Sequence, residues 1–473
     1  MINYDDLDYQ NEPDDSLGGD NPGQNTNENV RGSGSSRGEF NGSIDSDSLE
    51  EIINYYYENG EMDNAQKYVD MLLEYYPYST EAYYKKALIL DNLGKFEDSI
   101  RYFDKALLLN PTDPEILINK GITLDNLGKH DLASQVYSDV LKIEPDNSEA
   151  LFNLGITFER LEKFSEAVNC FNRVIEINPH FKDAYYELGY CYDFLDMLEM
   201  SLKAYDKHIE LSPTNFNAWY NIGIVLNRAG KYLKAVESYE LCLALNEKFS
   251  PAWYNCGNAY AAAGRLHKAI ECYEKSVELK KDDAYSYHNI ANAYEELDEY
   301  DNAVSYYNKA ITLDTNNFDS YFGRGNCYFS LGKYQEALRD YKSSLVFCRD
   351  YSEIWYSKAE TEVALGSFDE AIKSYEIVLK LDPSNYDAWF DYAYVLFDSK
   401  KYDEAIEAFN KVIEHSPGWV EPYYEKAKIF FVQGKLENGL VMLEKAFELK
   451  PEDRFIFDFS KDYKKVLNFL LSR

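Results

Sequence analysis

Apolar and polar residues along this chain recur with a period of 34. Count each unit so that its position 32 is Pro77, and Pro111, Pro145, Pro179, Pro213, Pro383, Pro417 and Pro451 fall on the same position of later units. From the second unit on, position 8 holds only Gly or Ala, from Ala87 and Gly121 through Gly223 and Gly257 to Ala427. Position 20 is small as well (Ser99, Ala133, Ala235, Gly439), and position 24 is aromatic from Phe103 to Phe409 before lapsing to Leu443. Within a unit, apolar residues stand at 4, 8 and 11 and again at 20, 24 and 28. Those spacings predict two amphipathic helices, since strands would alternate with period two. Glycine at position 15, as in Gly60, Gly94, Gly230 and Gly434, predicts the turn between them, because glycine accepts the positive φ that ends a helix. The position-32 proline stops the second helix, its ring being unable to continue the hydrogen-bond ladder. Small residues at 8 and 20 predict a close helix crossing, with the aromatics at 4 and 24 filling the space around it. Trp219, Trp253, Trp355 and Trp389, all at position 4, thereby read as core. The first unit departs from the pattern with Ile53 at 8 and Val69 at 24, and the fifth places His208 at 27, where Ala is usual.

The run Trp219, Ile222, Gly223, Leu226, Ala235, Tyr239, repeated as Trp253, Gly257, Tyr260, Ala269, Tyr273, resembles the tetratricopeptide repeat motif. The resemblance implies an all-α fold: a right-handed α-solenoid, or superhelix, of helix-turn-helix units. Twelve such units cover residues 46–453. Residues 1–45 hold ten acidic and two basic side chains with seven Gly and seven Asn, a composition expected of a disordered acidic tail. Residues 454–473 place Phe459, Tyr463, Val466, Leu467 and Leu470 at helical spacing. They are expected to form a C-terminal capping helix, since each repeat of a solenoid buries its apolar side only on a neighbour.

Charge narrows the partners. With 83 Asp and Glu against 48 Lys and Arg, the formal net charge is -35, which argues against a nucleic-acid groove built on clustered cations and against a polybasic membrane contact. No secretory signal is visible, and no run of apolar residues approaches the ~18 needed to span a bilayer. The seven cysteines form no C-x-x-C pair, so reduced thiols and a cytoplasmic setting are expected. No Walker A, G-x-G-x-x-G or H-E-x-x-H string occurs, and the six histidines lack ligand spacing. No catalytic residue, metal ligand or cofactor is therefore assigned, and the chain is expected not to be an enzyme.

On the first helix of each unit, positions 2, 5, 6, 9, 12 and 13 avoid the core stripe. The family resemblance implies that these positions line a concave groove that binds an extended peptide or a partner helix. The candidates are Tyr186, Tyr220 and Tyr254 at position 5, Asn119, Asn153, Asn221, Asn255 and Asn289 at position 6, and Asn258, Asn292 and Asn326 at position 9. An amide side chain both donates and accepts, so a column of them is suited to gripping a peptide backbone. The carboxylate clamp of chaperone adaptors does not fit, because Asn217 and Tyr285 occupy the places of its lysines. Position 12 divides the groove: Asp91, Asp125, Glu159 and Asp193 in units two to five, then Phe329, Val363, Phe397 and Phe431 in units nine to twelve. The acidic part is expected to meet a basic segment of a protein partner and the apolar part its hydrophobic residues. The leading expectation is a non-enzymatic interaction scaffold. Its rivals are a structural protein that assembles through its outer surfaces or ends, and a regulatory subunit of a separate enzyme.

Overall fold

The computed structural model describes residues 45–451, so the expected acidic tail, apart from Asp45, and the expected capping helix lie outside the described residues. Twenty-four α-helices and no strand run through the described chain. They divide between two compact units, one reaching to Ala82 and the other starting at Tyr83.

In the first unit, α1 (Ser46–Glu58) packs on α2 (Met62–Tyr75). The Asp45 carboxylate caps α1 by accepting from the Ser48 amide at 2.7 Å, which satisfies one of the donors a helix start leaves over. Ile53 and Val69, the two departures from the column pattern, are both fully buried here, with Leu49, Ala65 and Leu72. Tyr56 stacks on Tyr68 at 5.5 Å.

In the second unit the helices continue in pairs, from α3 (Thr80–Asn92, which starts in the first unit) and α4 (Phe96–Leu109) to α23 (Glu421–Val432) and α24 (Leu436–Leu449). From α6 (His130–Ile143) to α22 (Tyr402–His415) each second helix packs on its own first helix and on the first helix that follows. The crossing within a pair rests on the small residue at position 8. A Cβ added to Gly121, Gly155 or Gly223 would sit 2.5, 2.5 or 2.4 Å from the ring of Tyr137, Phe171 or Tyr239, the position-24 aromatic of the same unit. Tyr137, Tyr205, Tyr239, Tyr307, Tyr341 and Tyr375 are consequently among the largest fully buried side chains. Where position 20 is serine, its hydroxyl donates across the crossing to the position-8 carbonyl, Ser99 to Ala87 at 2.8 Å and Ser201 to Gly189 at 2.7 Å, so the buried oxygen keeps a partner. The position-4 tryptophans are half-buried, and each ring N–H donates to the position-32 carbonyl six residues earlier, as in Trp219 to Pro213 and Trp253 to Glu247. They thus fasten the connection between units as well as filling space.

The turn at position 15 has positive φ in every pair. The eight glycines there lie between 68° and 77°. Where glycine is missing, Glu162, Asp196, Asp298 and Lys400 adopt 57°, 56°, 60° and 62°, at the steric cost an L side chain meets in that region.

Two substitutions test this packing. Lys400→Gly should stabilise its pair by about 0.5–1 kcal/mol, read as slower amide exchange in α21 (Tyr386–Asp398) and α22 (Tyr402–His415). Gly223→Leu should cost at least ~1–3 kcal/mol by overpacking and open α11 (Phe216–Arg228) and α12 (Tyr232–Leu245) first.

Candidate functional site

The face formed by successive first helices is organised by hydrogen bonds between neighbouring units. The position-6 amide donates back to the position-5 tyrosine hydroxyl of the unit before. Asn119 Nδ2 reaches Tyr84 at 3.0 Å, Asn221 reaches Tyr186 at 3.0 Å, Asn255 reaches Tyr220 at 2.8 Å, and Asn289 reaches Tyr254 at 3.1 Å. Asn153 follows a unit with Ile118 at position 5, which has no hydroxyl to offer. The position-9 amides accept instead from the buried position-24 tyrosines: Tyr273 to Asn258 at 2.8 Å, Tyr307 to Asn292 at 2.6 Å and Tyr341 to Asn326 at 2.9 Å. Asn255 is buried, Asn292 is exposed, and the others are half-buried.

These bonds change what the amide column can do. An unengaged amide offers donors and acceptors alike. Here the Nδ2 groups of Asn119, Asn221, Asn255 and Asn289 are engaged within the fold, and the buried Asn255 Oδ1 takes the Asn258 amide at 3.4 Å, so the half-buried Asn119, Asn221 and Asn289 are the ones that present Oδ1 acceptors. Burial pushes the Tyr186 and Tyr220 hydroxyls well above the ordinary tyrosine range, so they remain protonated donors.

The position-12 acids are committed inside the fold as well. Thr123 Oγ1 donates to Asp91 at 2.6 Å, Thr157 Oγ1 to Asp125 at 2.6 Å, and the Cys191 thiol to Glu159 at 2.9 Å. Each donor stands at position 10 of the following unit. Glu295 instead takes the Tyr307 hydroxyl of the following helix. Asp125 also holds the His130 ring at 2.9 Å, and Asp193 is paired with Arg228, which bridges to Asp196 at 2.9 Å. Asp125 and Asp193 are 7% and 3% exposed. The expected acidic lining is therefore largely a set of bonds between units, and few of its charges are left over for a partner.

Burial raises the Asp91 carboxyl, with the Thr123 bond opposing it, and pushes Glu159 up to about 8. Glu187, at position 6, is raised further by burial and by the charges of Glu159 and Asp183. Glu360 and Asp391 are likewise raised by burial and by proximity, although Asp391 accepts the Tyr356 hydroxyl. Glu187 interrupts the amide column at position 6, Glu360 ends the one at position 9 and Asp391 lies beyond both at position 6, and none of the three was singled out from the sequence. For Glu187 and Glu360 the signal was there, as a carboxylate where a neighbouring unit carries Asn, whereas Asp391 stands between Ser357 and Glu425 and had none. His288 replaces the position-5 aromatic; burial lowers its ring to about 4, and it sits 2.8 Å from Ser320 Oγ and 3.0 Å from Asn292 Nδ2.

At the other end of the array, Phe329 and Phe397 lie edge-on or tilted against Tyr334 and Tyr402 at 5.3 and 6.0 Å. Val363 joins the cluster around Ile372 and Tyr375. These three stay half-buried, but Phe431 is 2% exposed, against the position of Gly439. The apolar column is thus packed into the start of the second helices, and Phe431 offers no open surface.

Among the described residues no cluster of three or more His, Cys, Asp or Glu side chains is placed to hold a metal ion, and no helix is long and apolar enough to cross a membrane.

Models of the tetratricopeptide repeat match residues 80–113, 102–135, 148–181, 182–215, 214–282, 249–316 and 356–418, together more than half of the chain. With the paired helices and the column pattern, this places the chain in the tetratricopeptide repeat family, a family of protein-interaction scaffolds. A model described as anaphase-promoting complex, cyclosome, subunit 3 matches residues 296–377. Among solved structures, YrrB, described as a TPR protein with an unusual peptide-binding site, is 27% identical over 38% of this chain and 94% of its own, with a TM-score of 0.37. MamA is 27% identical over 34% of this chain and 94% of its own, with a TM-score of 0.34. A chain of the APC/C hetero-tetramer Cut9–Hcn1 is 14% identical over 91% of this chain and 97% of its own, with a TM-score of 0.37. No curated protein matches the chain.

Two measurements test the bonds between units. Thr157→Val removes the hydroxyl that serves buried Asp125 and should cost about 1–3 kcal/mol, seen as faster exchange in α7 (Ser148–Arg160). Glu159 has a folded-state pKa raised from 4.5 to about 8, so its favourable contribution is complete below the ordinary carboxylate range and is lost as pH rises through about 8. Glu159→Gln should therefore gain stability relative to the wild type as pH rises from about 5 to 9, by denaturant titration at each pH.

Proposed function

We propose that the chain is a non-enzymatic scaffold that holds an extended segment of a protein partner along its first-helix face. The observation that carries this reading is the run of three successive tyrosine–asparagine bonds, Tyr186–Asn221, Tyr220–Asn255 and Tyr254–Asn289. They fix one side of each amide and leave the oxygens of Asn221 and Asn289 as acceptors beside tyrosine rings, two units apart, while the buried Asn255 oxygen between them takes the Asn258 amide. Fixed side chains lose little entropy when a ligand arrives, and tyrosine adds apolar area at low cost.

A row of acceptors selects donors. Extended backbone N–H groups and Lys or Arg side chains satisfy it, and carbonyl-rich or acidic segments do not. The exposed acids Glu115 and Glu149 at position 2 favour a basic segment, and they take over the role first given to the acids at position 12. The half-buried Phe329, Val363 and Phe397 suit apolar residues further along the same ligand. Seven free cysteines fit a reducing, cytoplasmic setting.

A second reading, a structural subunit of a larger assembly working through its outer surfaces, draws on the match of residues 296–377 to a subunit of a multiprotein complex. Selection from a random-peptide display library separates the two. The groove reading predicts enrichment of peptides with Lys or Arg, an association rate that falls as salt rises from about 50 to 500 mM, and binding weakened about ten-fold by Asn221→Ala with Asn289→Ala. Absence of any enriched peptide, or binding indifferent to salt and to the double substitution, contradicts it.

A further inference from the structure

Position 7 of a first helix points toward the second helix of the unit before, and most units fill the space there with a long or branched side chain. In units three, nine and twelve it is a cation that crosses to position 25 of the preceding unit. Lys120 pairs with Asp104 at 2.7 Å, Arg324 donates to Asn308, and Lys426 donates to Asn410 at 2.5 Å. In unit ten Lys358 lies over the position-4 ring of Trp355, its Nζ 5.3 Å from the ring centre. Units four, five, six and eight place Leu154, Leu188, Ile222 and Ile290 at position 7. Unit seven has Cys256, the smallest side chain in the column, and its position 23 is Cys272. Both cysteines line a cleft of about 930 Å³ formed by α12, α13 (Ser250–Ala262) and α14 (Leu266–Leu279). From α13 the cleft takes Trp253, Cys256 and Tyr260, at positions 4, 7 and 11, and so shares no side chain with the first-helix face.

We propose that this cleft is a second binding site, for a primary ammonium on an unbranched alkyl stem, the group that the chain itself supplies at the same place in other units. Glu240, which lines the cleft, stands at position 25 of unit six, the equivalent of the Asp104 that holds Lys120. Trp253 stands at position 4, the equivalent of the ring that holds Lys358. A cation over an indole face and a charge-assisted hydrogen bond to a carboxylate attract the same ligand group. Leu243, Ala244 and the two cysteines give the methylenes of a stem an apolar wall. The lining carries five Glu against two Lys. Lys275 is engaged by Glu278 at 2.7 Å, and Lys268 lies over Tyr260 at 5.2 Å. Glu240, which accepts the Tyr260 hydroxyl at 2.8 Å, is exposed together with Glu247 and Glu271. Glu247 occupies position 32, where eight units have proline, so the sequence adds a carboxylate at the cleft by giving up its usual helix stop. The volume falls within the ~300–1,000 Å³ of small-molecule sites. Two sources share this chemistry, a free linear polyamine and the lysine side chain of a protein.

Fluorine NMR of the full-length chain labelled with fluorotryptophan, the Trp253 signal assigned by Trp253→Phe, tests the site directly. Spermidine and a blocked Gly-Gly-Lys-Gly-Gly peptide are the probes, and pentanediol is the uncharged control. The Trp253 signal should move saturably with one or both amines and stay in place with the diol. Tighter binding of spermidine assigns the site to a free polyamine, and equal or tighter binding of the peptide assigns it to a lysine of a protein. Glu240→Gln should weaken binding about ten-fold. Cys256→Lys, which rebuilds the arrangement of unit three, should abolish it, and Cys256→Leu, which carries the side chain of units four and five, closes the cleft should the lysine disturb the fold. A Trp253 signal unmoved by both amines, an equal response to the diol, or affinities unchanged by Glu240→Gln and Cys256→Leu would overturn the proposal. None of these residues belongs to the first-helix face, so the outcome is separate from that of the peptide selection.

Discussion

The structure depends on one contact repeated along the chain: an aromatic ring at position 24 laid against the backbone of a Gly or Ala at position 8. With virtual Cβ distances of 2.4–2.7 Å to the ring at Gly121, Gly155, Gly189, Gly223, Gly257 and Gly325, the two helices of a pair meet at the closest approach the ring allows. That closeness fixes the orientation of each first helix. It also brings the tyrosine hydroxyl at position 24 within reach of the amide at position 9. The polar face follows from the packing of the core. Because each contact is made within a unit and the bonds between units join only neighbours, the array gains stability locally and opens in segments.

The bonds between units form a second layer, and it is more varied. A carboxylate at position 12 takes a Thr or Cys donor from the next unit. A tyrosine at position 5 takes an asparagine. Where a unit lacks either partner, an ion pair such as Asp193–Arg228 or an apolar pair takes its place. The cost is electrostatic. Glu159 and Glu187, and further along Glu360 and Asp391, are carboxylates that burial holds above their ordinary range, helped at Glu187 by the charges of Glu159 and Asp183, at Glu360 by Asp391 and at Asp391 by Asp387. Burying charge without a counter-ion disfavours the ionised form, so these sites stand to gain from a cation. The two carboxylate pairs flank the stretch in which asparagine runs through positions 6 and 9.

Most of the fold was legible in the sequence because backbone geometry leaves few residues for certain positions. Gly60, Gly94 and their equivalents stood where positive φ was required, and the four units without glycine adopt it regardless. The Gly or Ala column reported the close crossing. The functional face was read less accurately, for a physical reason. Periodicity shows which way a side chain points, and its hydrogen-bond partner lies in another unit. Asp125 and Asp193 point toward the face, yet Thr157 and Arg228 already engage them. A comparison across a 32-residue offset, acid at 12 against Thr or Cys at 10, would have revealed those bonds. Asn221 and Asn255 were rightly seen as a column, but their donors turned out to serve Tyr186 and Tyr220. Phe431 was taken as groove lining and is core.

The central claim is that the first-helix face is where this scaffold meets its partner. An amide-exchange footprint of the chain bound to a selected peptide tests it most directly. The account predicts that protection gained on binding falls on α9 (Lys182–Phe194), α11, α13 (Ser250–Ala262) and α15 (Ala284–Glu296), the helices that carry the tyrosine–asparagine bonds. A footprint confined to the intervening second helices α10 (Leu198–Leu211), α12 and α14 (Leu266–Leu279) would contradict it.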